Sequence, residues 1–308
     1  MIRLKNISHD YDRQIFKSAN LFIKRNEILG IVGHSGVGKS TLLKIIAGKL
    51  QPTKGSLFWE SELMPNMKNL LIPGFKNISI VNQDFKLDQY HTVTENIRES
   101  ILAMPFNKRE KRIDQLIKIF GLKSIANTKA DLISGGEKQR LAIARAIAFY
   151  PDLLLLDEPF SHLDATIRIK LIELLIQLRN EENMTLVLVS HDPLDILGMC
   201  DNICFLRNKK ISRKHSPEGL YYNLRNLQLA KLFGPVNNVI WNGINYRFRP
   251  DEYVVSNSDQ GIPVRFINHI FFNGFYQNFF LVESLWIVLY SQVPLKKVNR
   301  IEVRNKLK

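Results

Sequence analysis

Four continuous apolar runs punctuate the first two-thirds of the chain: EILGIVG (27–33), NISIVNQ (77–83), DLLLLDEP (152–159) and MTLVLVSHD (184–192). Between them, apolar positions recur every three or four residues in KSTLLKIIAGKL (39–50), KRIDQLIKIFGL (111–122), RLAIARAIAFY (140–150) and ATIRIKLIELLIQLRNE (165–181). Runs four or five long predict strands covered on both faces, and the longer spacing predicts the amphipathic helices that cover them. Alternation of the two predicts an α/β fold around a parallel sheet. Residues 84–133 are mostly polar with helical periodicity and read as a helical subdomain.

The pattern changes near Phe233-Gly234-Pro235. Beyond it come short alternating segments, NNVIW, INYRF, PVRFINHI, YQNFFLV, SLWIVLY and VNRIEV, separated by turn residues. This spacing predicts a small β-barrel. A boundary at about 230–236 divides an α/β domain, 1–232, from a β domain, 233–308.

Composition narrows the picture only a little. The net charge is +14, which suits a polyanionic partner, whether nucleic acid, an anionic membrane surface or nucleotide phosphates. A solvated, lysine-rich surface accounts for most of the excess. The N-terminus has no apolar segment of the signal-peptide kind, and no stretch of about 18 uninterrupted apolar residues predicts a membrane span. The most apolar candidate, Phe271 to Tyr290, is broken by polar residues and reads as two strands with a turn. Cys200 and Cys204 lack nearby partners for a metal site and read as reduced core residues of a cytosolic protein.

The chemistry begins at GHSGVGKST, Gly33 to Thr41, which fits G-x-x-x-x-G-K-S between a strand and a helix. Glycines let successive backbone N–H groups point at phosphate oxygens, and the helix beginning near Lys39 adds its positive end. Gly33, His34, Ser35, Gly36, Val37, Gly38, Lys39, Ser40 and Thr41 are therefore candidate ATP-binding residues. Lys39 is expected on the β/γ-phosphates and the Ser40 hydroxyl on Mg²⁺.

Ligands of a parallel sheet sit beyond the carboxyl ends of its strands, and each apolar run ends in a polar residue. The first ends in the phosphate loop, the second at Gln83, the third at Asp157-Glu158 and the fourth at His191. Asp157, placed by a buried strand, suits a contact to Mg²⁺, and Gln83 can ligate the ion through its carbonyl. Glu158 can orient or deprotonate an attacking water, and His191 can donate to a γ-phosphate. The expected catalytic set is Glu158, His191 and Gln83, and the expected Mg²⁺ set is Ser40, Gln83 and Asp157.

In their order along residues 1–225, these motifs resemble those of the ATP-binding subunits of ABC transporters. GHSGVGKST is similar to Walker A, LLLLDEP to Walker B and Gln83 to the Q-loop glutamine. ISGGEKQR is similar to the signature, SHLD (161–164) with Asp164 to the D-loop, and His191 to the switch histidine. Tyr11 stands where the family stacks an aromatic ring on adenine. The resemblance implies a phosphate-loop NTPase core of RecA-like type. It also implies a head-to-tail dimer, with Ser134, Gly135, Gly136 and Glu137 facing the partner's ATP. Many members have Gln at the position of Glu137, where a carboxylate next to a γ-phosphate repels unless its side chain turns away.

Residues 216–239 and the YRFRPDEYVV and FFNGFYQNFFLV segments resemble the accessory region of importer subunits for maltose, polyamines, sulfate and ferric iron. That region carries an OB-like domain called TOBE. The implied partners are a second ATPase subunit, membrane permease subunits and an extracytoplasmic solute-binding protein, with no nucleic acid. The implied location is the inner face of the cytoplasmic membrane. Two other readings remain open: an exporter or lipoprotein-releasing ATPase, and a soluble ABC ATPase acting on ribosomes or DNA.

Overall fold

The computed structural model describes residues 1–67, 74–161, 163–223 and 225–304. The chain divides into two compact units, Met1–Ser216 and Pro217–Lys308.

The first unit opens with β1 (Ile2–Asp10), β2 (Gln14–Ile23), β3 (Ile28–Val32) and α1 (Lys39–Ile46), followed by β4 (Lys54–Trp59), β5 (Glu62–Leu63) and β6 (Ile78–Val81). Next come α2 (Val93–Ser100), α3 (Phe106–Ile119), α4 (Gly135–Ile147), β7 (Leu153–Asp157), α5 (Ala165–Glu182) and β8 (Thr185–Ser190). It ends with α6 (Leu194–Leu197), β9 (Asn202–Arg207) and β10 (Lys210–Ile211). A six-stranded sheet runs β10-β9-β3-β8-β7-β6 and is parallel from β9 to β6. Every residue of β3, β7 and β8 is buried, which is why these runs are apolar throughout rather than alternating.

A second sheet, β2-β1-β4-β5, is antiparallel. It turns Ile2, Leu4 and Ile7 into a core shared with Leu42, Leu43, Ile45 and Ile46 of α1 and with the inner residues of β3, β7 and β8. The sequence reading did not separate this sheet, because irregularities interrupt its alternation. The register slips between Leu4 and Ile7, and Asn6 sits at φ 53°.

Between 84 and 133 lie α2, α3 and a short 3₁₀ turn, Lys123–Ile125. Arg112 of α3 is 1% exposed. Its guanidinium donates to the Ile147 carbonyl at 3.0 Å and the Ala148 carbonyl at 3.3 Å, pairs with Glu182 at 3.1 Å and lies over the Tyr150 ring. It thereby adds a donor to the Ile147 carbonyl, which also takes the Tyr150 N–H at 3.0 Å, and satisfies the Ala148 carbonyl just past the end of α4. Cys200 and Cys204 are both buried and free, and burial pushes the Cys204 thiol up to about 12.

The second unit begins with α7 (Pro217–Tyr221) and α8 (Leu227–Lys231), followed by β11 (Asn237–Trp241), β12 (Ile244–Phe248), β13 (Tyr253–Val255) and β14 (Ile262–Pro263). It ends with β15 (Arg265–Phe272), β16 (Phe275–Val282), β17 (Leu285–Ser291) and β18 (Arg300–Val303). The hairpin β11-β12 and the sheets β13-β18-β14 and β15-β16-β17 are all antiparallel. They enclose one core that includes Val239, Phe248, Phe280, Leu289 and Ile301. Segment 271–290 holds the last two residues of β15, all of β16 and most of β17, so the two strands and turn read from the sequence are present, preceded by the end of a third strand. The pairs β13 and β14, two or three residues long, were too short to read from alternation.

The two short helices belong to this unit because of Arg249, which is fully buried. Its guanidinium donates to the carbonyls of Tyr221 (2.6 Å), Ala230 (3.0 Å), Gly234 (2.9 Å) and Pro235 (3.1 Å) and lies over the Tyr221 ring. Burial lowers its pKa from the ordinary arginine value, opposed by the nearby charges that include Glu252 and Asp251.

Candidate active site

The turn after β3 takes a shape that side chains resist. Gly36 sits at φ 74° and Gly38 at φ 108°. A Cβ on Gly38 would lie 2.4 Å from Ile15 Cγ2 and 3.1 Å from Phe16 Cζ, so glycine is needed there for both backbone and space. The same contact shows that the start of β2 leans on this loop. His34, Ser35 and Gly36 are exposed, while Gly33, Val37 and Thr41 are half-buried. Helix α1 has no side-chain cap and no acidic residue in its first turn. Its first N–H groups and positive end are left for an outside acceptor.

Lys39 is 6% exposed and folds back over the loop. Its ammonium donates to the Gly33 carbonyl at 2.9 Å and the His34 carbonyl at 3.4 Å, and lies 3.2 Å from Glu158 Oε1. The other carboxylate oxygen of Glu158 accepts the His191 backbone N–H at 3.2 Å and lies 2.7 Å from His191 Nδ1. Glu158 itself is held at φ 53°, with its N–H on the Val189 carbonyl at 3.0 Å. A left-handed non-glycine residue costs about 1–3 kcal/mol, and here the carboxyl ends of β7 and β8 hold it from two sides.

Asp157, the last residue of β7, is buried. Burial pushes its carboxyl above the usual range, the Ser40 hydroxyl pulls it back by hydrogen bonding, and the Glu158 charge pushes it up again. Its Oδ1 is buried without a hydrogen-bond partner among the described residues. An orphaned carboxylate oxygen beside a serine hydroxyl, facing a phosphate loop, is a donor set that fits a hard divalent cation.

Gln83 lines a neighbouring cleft of about 440 Å³ together with Asp84, Phe85, Gly135, Gln139, Ser161 and Leu163. This cleft joins the exit of β6 to the start of α4 and the loop before α5. Asp164 caps α5, accepting the Ile167 N–H at 2.9 Å, and His162 lies outside the described residues. Tyr11 stands on the turn between β1 and β2, 56% exposed.

At the start of α4, Ser134 and Glu137 form a reciprocal cap. The Ser134 N–H and hydroxyl donate to Glu137 Oε2 at 2.8 and 2.7 Å, and the Glu137 N–H donates to Ser134 Oγ at 3.4 Å. The Glu137 side chain thus turns back on its own helix. The Ser134 hydroxyl, expected to face a phosphate, gives its hydrogen to that carboxylate. The pattern S-x-x-E was present in the sequence and could have shown this box. Gln139, also passed over, is buried and donates to the Pro159 carbonyl, one residue beyond Glu158.

The structure therefore brings Lys39, Ser40, Asp157, Glu158 and His191 into one cluster. Gln83 and the start of α4 meet at the adjacent cleft. Against known proteins, the family profile described as ABC transporter matches residues 16–161. The glucose import ATP-binding protein GlcV of Saccharolobus solfataricus is 36% identical over 247 residues, covering 78% of this chain and 70% of that protein.

The chain belongs to the ABC transporter ATPases.

It is an ATP-binding, ATP-hydrolysing subunit of that family. The spermidine/putrescine import ATP-binding protein PotA of Clostridium acetobutylicum is 32% identical over 267 residues, covering 85% of this chain and 74% of that protein. Among solved structures, the dimeric ABC transporter cassette MJ0796 matches with a TM-score of 0.63 and 32% identity, covering 70% of this chain and 99% of that one. The same cassette is also known in a post-hydrolysis state bound to ADP and Pi, with the same TM-score. Among the described residues of this ABC ATPase, no helix is long and apolar enough to cross a membrane.

For the capping box, Glu137→Gln is expected to keep ATPase activity within about twofold, since Gln fills the same position of the box. Glu137→Ala is expected to lower helix stability by about 1 kcal/mol and to slow turnover. Steady-state ATPase assays paired with thermal melts check both. Hydrogen bonds from the Ser134 hydroxyl and then its N–H hold the Glu137 carboxyl below the usual range. The box is therefore complete above the ordinary glutamate pKa and is lost as the pH falls through the lowered value.

Proposed function

We propose that this ABC ATPase drives solute import through a membrane permease fed by an extracytoplasmic solute-binding protein. The observation that carries the direction is the reach of the likeness. The PotA match covers 85% of the chain and so runs past Ser216 into the second unit. The resemblance to import subunits is thus not confined to the ATPase core. The second unit serves as the TOBE-like accessory domain of such subunits.

In the proposed cycle, the amides of residues 33–41 and the end of α1 receive the phosphates of ATP. Lys39 turns from the Gly33 and His34 carbonyls to the β/γ-phosphates, and Tyr11 stacks on the base. Ser40, Asp157 and Gln83 would hold Mg²⁺, which would supply charge neutralisation at the phosphates. With Lys39 drawn to the phosphates, Glu158 Oε1 is released to orient the attacking water and accept its proton. His191 holds the other oxygen of Glu158 and donates toward the γ-phosphate. The start of α4, Ser134 to Glu137, faces the ATP of a second copy, and Asp164 lies beside that junction. The dimeric cassette MJ0796 supports this arrangement.

The test is to purify the chain with the membrane subunits that accompany it and reconstitute the complex in vesicles. ATP supplied on the face bearing this chain is expected to move solute toward that face, with solute-binding protein accelerating hydrolysis. Movement in the opposite direction, or assembly with no membrane subunit, overturns the import reading.

A further inference from the structure

The inward positions of β1 are Ile2, Leu4, Ile7 and His9. Three are aliphatic and one is an imidazole. His9 is 6% exposed, and neither ring nitrogen has a hydrogen-bond partner among the described residues. A buried polar group left unpaired costs free energy that an apolar ring of the same shape does not. Core packing alone therefore does not explain a histidine at this position.

Its surroundings do. His9 pairs across the sheet with Phe16, so the two side chains share a face. Phe16 lies against Gly38 of the phosphate loop. Two residues beyond His9, the Tyr11 ring stands perpendicular to the imidazole, with centroids 4.7 Å apart and an interplanar angle of 86°. Tyr11 is mostly exposed, and His9 makes its one ring contact among the described residues. The turn's backbone is closed by the Tyr11 N–H on the Arg13 carbonyl at 3.1 Å, a contact that does not involve the ring. An edge-to-face contact between aromatic rings is directional.

We propose that His9 is a positioning residue that holds the Tyr11 ring in the orientation in which it stacks on the ATP base, and so sets ATP affinity without acting in hydrolysis. This rests on the reading of Tyr11 as the base-stacking residue. An imidazole wedged between the Phe16 side of the sheet and the Tyr11 ring fixes the plane of an otherwise exposed aromatic before ATP arrives.

The experiment measures KM for ATP and kcat in wild type, His9→Ala, His9→Phe, Tyr11→Ala and the double variant. His9→Ala is expected to raise KM about tenfold with kcat within about twofold. His9→Phe keeps a flat ring and is expected to restore KM to within about threefold of wild type. Because His9 acts through Tyr11, the double variant is expected to be no worse than Tyr11→Ala alone. An unchanged KM in His9→Ala, an equal loss of kcat, a Phe variant no better than Ala, or additive effects in the double variant overturns the inference. Tyr11→Ala with wild-type KM overturns the base-stacking reading itself.

Discussion

Glu158→Gln is expected to bind ATP and to hydrolyse it at least about a hundredfold more slowly than the wild type. The carboxylate stands at the end of buried β7 with one oxygen against Lys39 and the other against His191. An amide keeps the shape and still reaches His191, but it cannot take a proton from water. Loss of a positioned general base removes about two to four orders of magnitude. ATP binding is retained or tightened, because the amide pairs less strongly with Lys39 and yields it more easily to phosphate. Steady-state phosphate release gives the rate, and gel filtration with and without ATP shows whether an ATP-held dimer accumulates. Turnover near the wild-type level removes Glu158 from the mechanism.

Arg249→Leu is expected to unfold or loosen the second unit while leaving basal ATP hydrolysis by the first. Leucine fills part of the volume but strands the carbonyls of Tyr221, Gly234 and Pro235 and leaves Ala230 with only its backbone partner. Leaving a buried acceptor unpaired costs about 1–3 kcal/mol each, so three of them cost at least about 3 kcal/mol, a large share of the roughly 5–15 kcal/mol that holds a domain. At about 4–8 °C per kcal/mol for a unit of this size, its melting transition falls by at least about 12 °C. Calorimetry is expected to show one transition displaced and the other in place. A melting profile like the wild type rejects the stapling role.

The parallel α/β core was legible because each buried strand is a continuous apolar run that stops at a polar residue, while the order of its strands was not, since nothing local in the sequence sets which strand lies beside which. Gln83, Asp157-Glu158 and His191 could be placed on one edge from the sequence alone. The antiparallel sheet was not legible, since the slip at Asn6 breaks the two-residue period of β1. Arg249 was hidden for a different reason. In YRFRP, Arg247 and Arg249 look alike, and only packing shows that the second is enclosed while the first pairs at the surface with Asn238. Glu137 raised a fair question of charge, and local geometry answered it, since the nearest acceptor-hungry group is its own serine.

The grip of Arg249 on residues 221–235 also decides where this polypeptide can be divided. The visible change of pattern, near Phe233, invites a cut after residue 232. Such a cut parts the guanidinium from the carbonyls of Tyr221 and Ala230 and from the ring it rests on. A cut at the Ser216–Pro217 bond keeps all of them with it. For grafting this second unit onto another protein, the transferable piece starts at the proline, and the two short helices travel with the sheets they are stapled to.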